Sequence, residues 1–183
     1  MRRTALFLWL AAAATVAAQV QNSQAIWIDV PFVAQPREGC GAASISMVMQ
    51  YWAKQTGQPA AGDSAVEAIQ RAIYSPQAHG IPASSMQEYL RRHGYQVFAL
   101  SGRWGDFETE LRKGRPLIVA LRPEGQRALH YVVVVGVDPE RGLVTMNDPA
   151  DRKMLSQERA AFEKEWSATD DWMLLAVPAS SQR

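Results

Sequence analysis

The chain has one cysteine, Cys40, among 183 residues, so no internal disulfide can staple the fold. An excess of one charge sign is missing too: 19 Lys and Arg stand against 18 Asp and Glu, a formal net charge of +1. A nucleic-acid or anionic-membrane binder gathers basic charge, so both classes are excluded on this ground. Long uncharged apolar runs are scarce. The longest spans residues 5–18, interrupted by Thr15, and falls short of the ~20 residues a membrane-crossing helix needs. The sequence also lacks H-E-x-x-H, C-x-x-C, G-x-S-x-G and any Gly-Lys step. Those absences remove the usual zinc protease, zinc ribbon, serine hydrolase and P-loop readings, and no metal or cofactor is expected.

The apolar run has a basic start, Met1-Arg2-Arg3, and ends in the small residues Val16-Ala17-Ala18. This is the pattern of a secretory signal peptide over residues 1–18. A short polar segment follows over 19–25, then one domain over 26–178 and a tail over 179–183. The expectation is an exported protein, periplasmic or extracellular, with no stable membrane anchor once the signal is removed. Oxidising compartments pair their cysteines, which makes an unpaired Cys40 worth explaining either as a buried hydrophobe or as a reactive thiol.

Hydrophobic periodicity predicts a strand over 26–33, confined to an edge or an end by Pro31, then a loop over 35–39. Ala43, Met47 and Tyr51 recur at spacing four beside Val48 and Trp52, which predicts a helix over 40–52 with Cys40 in its first turn. Ser64 with Glu67, and Ser85 with Glu88, have capping-box spacing and predict two further helices, the second stopping at Gly94. Beyond it the period shifts. Strands are expected over 95–100, 116–122, 130–137, 143–147 and 171–177, with helices over 106–113 and 156–166. Helices first and a mostly antiparallel sheet afterwards make an α+β domain.

Cys40 at a helix N-terminus would feel unpaired N–H groups and the positive end of the helix dipole, which favour a thiolate. Gly39 and Gly41 flank it and would let a substrate carbonyl approach the backbone, with the Cys40 N–H aimed at an oxyanion. Gln35, five residues earlier, could donate a second hydrogen bond to the same oxyanion. Of three histidines, His93 precedes the Gly94 stop and suits capping, while His79 sits in a loop that could line a groove. His130 opens the apolar run 131–135 at the mouth of a buried strand, where its ring needs a partner. If Val137 faces Leu143 across the hairpin, Asp148 falls on the face of His130; a shift of one residue presents Asn147 instead. Trp104 and Trp166 are groove or core residues by sequence alone.

Four segments together carry a family resemblance: Val30-Pro31-Phe32-Val33-Ala34-Gln35; Gly39-Cys40-Gly41-Ala42-Ala43-Ser44; His130-Tyr131-Val132-Val133-Val134-Val135-Gly136; and Asn147-Asp148-Pro149. They resemble the C39-like cysteine peptidases, over roughly residues 28–177. The resemblance implies a papain-like fold and a peptide or protein substrate. It also implies Cys40 as nucleophile, His130 as general base and acid, Asp148 as the carboxylate orienting it, and Gln35 as oxyanion donor. Familiar members are leader-peptide processing domains joined to an ABC transporter. This chain has neither transporter span nor P-loop, so double-glycine specificity is not carried over. An amidase or transpeptidase using the same thioester chemistry, and a non-catalytic peptide-binding module, are the competing expectations.

Overall fold

The structure is a computed structural model that describes residues 24–179. The expected signal peptide and most of the expected polar segment and tail lie outside the described residues. Seven antiparallel strands form one sheet: β1 (Ile26–Trp27), β2 (Tyr95–Ser101), β3 (Leu117–Leu121), β4 (His130–Asp138), β5 (Leu143–Asn147), β6 (Leu155–Glu158) and β7 (Trp172–Pro178). The main order is β2-β7-β3-β4-β5-β6, and β1 pairs with β4. Helices α1 (Cys40–Gln55), α2 (Val66–Ile73) and α3 (Ala83–Arg92) come first, and α4 (Trp104–Arg112) and α5 (Arg159–Ser167) are interspersed among the strands.

Alternation along the central strands divides the core in two. Tyr131, Val133 and Val135 of β4, with Ile118 and Ala120 of β3, pack under α1 to α3. Val132 and Val134, with Leu117 and Val119, pack under Phe107 and Leu111 of α4 and Phe162 and Trp166 of α5. Helices therefore cover both faces, and α1 is buried along most of its length, from Gly41 to Met49 and again at Tyr51. Its polar side chains are satisfied there: Ser46 Oγ donates to Ser64 O at 2.6 Å and Ser44 Oγ to Tyr131 O at 3.3 Å.

Four local expectations need correction. The first strand is two residues long, because the chain leaves the sheet once Ile28 N has bonded Val135 O, and Val30 N turns back to Ile28 O. Neither capping box forms. Ala65 and Pro82 occupy the N-cap positions of α2 and α3, and the Ser64 hydroxyl donates instead to Ala61 O. The segment 156–166 is not one helix: residues 155–158 extend the sheet beside β5, and α5 begins only at Arg159, whose N–H bonds Gly142 O.

The fourth correction is the hairpin register. Val137 faces Val144, not Leu143, and Gly136 faces Thr145, but Val134 faces Met146 and Val133 faces Asn147. Val135 is the extra residue of a β-bulge. The register near the turn is thus one residue away from the expected one, and the bulge restores the expected pairing at the far end, where the histidine lies.

Candidate active site

Three chain segments meet at the start of α1. Gly39 is its N-cap with no side-chain cap bond, and no acidic side chain occupies the first turn. The first N–H groups of α1, from Cys40 onward, therefore point out of the helix without intrahelical partners. Cys40 is half-buried and unpaired.

His130 begins β4, held opposite Leu121 of β3. Its Nε2 lies 2.7 Å from Asp148 Oδ1, with the two side chains 17% and 16% exposed. Asp148 stands one residue past β5 in a tight turn, where its Oδ1 also accepts the Ala150 N–H at 2.9 Å. With Nε2 engaged by Asp148, the remaining ring nitrogen is the one available to Cys40, whose side chain favours the charged imidazole. Burial opposes charge on His130, but the hydrogen bonds to Asp148 and Cys40 outweigh it and push its pKa up to about 9. Burial likewise works against the Asp148 carboxylate, and His130 with the turn N–H groups outweighs that, holding its pKa below the usual carboxylate value.

Asn147 takes no part in this pair. It points to the opposite face, fully buried, where Nδ2 donates to Val30 O at 3.1 Å and Oδ1 accepts from Met154 N at 3.1 Å. That bridge and the bond from Gln35 N to Pro149 O at 2.9 Å stitch the N-terminal segment to the end of β5. The stitching brings Gln35 into the cleft with Cys40 and His130. The Gln35 Oε1 is buried there with no hydrogen-bond partner among the described residues.

The two glycines also answer to packing. A Cβ on Gly39 would lie 2.5 Å from Pro36 Cγ, and one on Gly41 would lie 3.1 Å from Ile81 Cβ. Close packing of the loop and of the core explains both. His79 does line the cleft, and His93 does cap α3, with Nδ1 on Tyr89 O at 2.7 Å and Nε2 3.2 Å from Asp63. Trp166 is a core residue, and Trp104 packs edge-on against Phe107 and Phe162.

The cleft measures about 430 Å³. Sequence reasoning passed over several of its walls, including Glu38, Ile81, Leu129 and Tyr131. Closeness to Cys40 and His130 in the chain was an available signal for Glu38, Leu129 and Tyr131; Ile81 carried none. A half-buried thiol beside a charged imidazole, next to N–H groups without intrahelical partners, can add to a carbonyl carbon and hold the resulting oxyanion.

Among curated protein sequences, none matches the chain. Solved structures do match. The peptidase domain of Streptococcus ComA, a bi-functional ABC transporter involved in a quorum sensing pathway, superposes with a TM-score of 0.64 at 21% identity, covering 82% of this chain and 99% of that domain. A Bacillus anthracis structure described as a C39-like peptidase gives 0.65 at 15% identity, covering 86% and 100%. A double glycine motif protease from an AMS/PCAT transporter, in complex with the leader peptide, gives 0.59 at 20% identity, covering 84% and 94%. At these identities the likeness is one of fold, the α+β arrangement of papain-like peptidases. The sequence profile of the Peptidase_C39 like family matches residues 27–172, and the chain belongs to that family.

Proposed function

We propose that the protein is an exported thiol peptidase that hydrolyses a peptide bond through a Cys40–His130–Asp148 acyl-enzyme. The observation that carries this reading is the 2.7 Å His130–Asp148 bond with Cys40 as the imidazole's other partner at an uncapped helix start. With a pKa of about 9, His130 holds its proton at neutral pH. Cys40 Sγ attacks the peptide carbonyl carbon, and the carbonyl π electrons move to oxygen. The oxyanion takes hydrogen bonds from the Cys40 N–H and the Gln35 amide. Collapse breaks the C–N bond, the leaving amine takes the proton from His130, and a thioester remains. Neutral His130 then accepts a proton from water as the oxygen attacks the thioester, releasing the carboxylic acid and restoring the thiolate and imidazolium. Asp148 keeps the ring oriented throughout.

The substrate is a peptide or protein segment. The leader peptide held by the AMS/PCAT transporter protease supports a peptide in this cleft, and no double-glycine requirement is carried over. The test is cleavage of a peptide library by the full chain, with intact-mass detection of a Cys40 acyl adduct. Cleavage that persists in Cys40→Ala, or a native thiol that iodoacetamide near pH 6 alkylates no faster than a free cysteine peptide, would overturn the reading.

A further inference from the structure

Two residues before the nucleophile candidate, Glu38 lies on the wall of the same cleft. Its backbone is left-handed, with φ 55°, and so is that of His79 beside it, with φ 49°. Non-glycine residues hold such angles where the surroundings over-determine them. Here the Tyr74 hydroxyl donates to Glu38 Oε2. Oε1 is left over. Among the described residues its basic neighbour is the His79 imidazole, whose Nδ1 lies 3.8 Å away and beyond hydrogen-bond distance, on a side chain 80% exposed. The Glu38 side chain is itself 34% exposed, accessible yet partly desolvated.

The charge balance around it is one-sided. Among the described residues no Lys or Arg lines the cleft; Arg37 and Arg127 are neighbours in sequence but not part of its wall. His130 is already matched by Asp148. Among the described residues Glu38 Oε1 therefore has no hydrogen-bond donor and only the exposed His79 ring across 3.8 Å, so a cation brought in by a ligand would complete it.

We propose that Glu38 is a specificity-determining residue that selects substrates with an amine or guanidinium cation close to the scissile bond. This rests on the peptidase reading above and adds the chemistry of the substrate to it. The full chain is tested with paired N-acetylated peptide libraries that differ in Lys or norleucine at one fixed position, scanned across the peptide. At one position Lys peptides turn over at least ~10-fold faster, equivalent to about 1.4 kcal/mol. In Glu38→Gln that ratio falls to about one, and in Glu38→Lys it inverts in favour of peptides with Glu at that position, a gain that misfolded protein does not show. A preference for free over acetylated N-termini that disappears in Glu38→Gln supports the same site, with the α-ammonium as the cation. Equal turnover of Lys and norleucine at every position, with no preference for free N-termini, or a cation preference that survives Glu38→Gln, overturns the proposal. If no library is cleaved, the peptidase reading fails by itself. Calorimetric binding of Lys and norleucine peptides to Cys40→Ala then decides the cation site: a tenfold affinity difference supports it and equal affinities sink it.

Discussion

Asn147 and Asp148 are adjacent in the chain and do opposite work, because successive residues at a strand end point to opposite sides. Asp148 reaches His130, while Asn147 is sealed between Val30 O and Met154 N. In Asp148→Asn, kcat/KM is expected to fall at least ~100-fold with the melting profile kept, since the neutral amide no longer stabilises the imidazolium. Asn147→Ala should instead leave the buried Val30 O and the part-buried Met154 N without their side-chain partner and lower the unfolding free energy by about 1–3 kcal/mol. The folded fraction should keep its rate within about tenfold. The His130 charge also ties stability to pH. Its folded pKa, about 9, lies above the 6.5 of the unfolded chain, so its contribution is full below pH 6.5 and is lost as pH rises through 9. Asp148 has a lowered value, so its contribution is present above the ordinary 3.8 and is lost as pH falls below it. Urea midpoints measured from pH 6 to 10 should decline by an amount worth at most about 3 kcal/mol, and His130→Gln should flatten that decline.

At the scale of elements, the hairpin β4–β5 depends on its bulge. Gly136 follows the extra residue Val135, and a Cβ there would meet Ile26 O at 2.9 Å and Trp27 Cβ at 3.0 Å. Gly136→Ala should therefore push β1 off β4 and cost about 1–3 kcal/mol in a denaturant titration, with the active-site thiol reactivity retained. Helix periodicity in α1 was legible because small and apolar residues recur at the right spacing. The Gly94 helix stop was legible too, and that glycine has positive φ. The capping boxes were not. Ser64 lies in a short 3-10 turn before α2, where its hydroxyl has a nearer acceptor in Ala61 O. Residues 156–158 read as helix by sequence because their strand character comes from the neighbour they pair with, Leu143 to Thr145.

For the molecule as a whole, a single sheet between two helical layers leaves the ends of α1, β4 and β5 converging at one edge, with the loop before α1 folded over them. Loss of residues 1–18 on export is predicted from the basic start, the apolar run and Val16-Ala17-Ala18. Intact-mass measurement on exported material checks it: the N-terminus should lie after Ala18, and a full-length chain in a membrane fraction would show an anchor instead. Among the described residues no helix is long and apolar enough to cross a membrane.

From local pattern alone the chain specified an α+β fold, the helix carrying Cys40, the strand opened by His130 and the turn-forming Asn147-Asp148-Pro149, because periodicity and turn chemistry act over a few residues. Tertiary structure decided which neighbour of the turn meets the histidine. The expected pairing near the turn was one residue out, and the bulge at Val135, whose carbonyl accepts from Ile28 N just past β1, reset the register before it reached Asp148. The folding of Gln35 onto Pro149 and of Glu38 against Tyr74 was likewise invisible in sequence. Such contacts join residues far apart in the chain, and their geometry exists only once both halves of the core have packed.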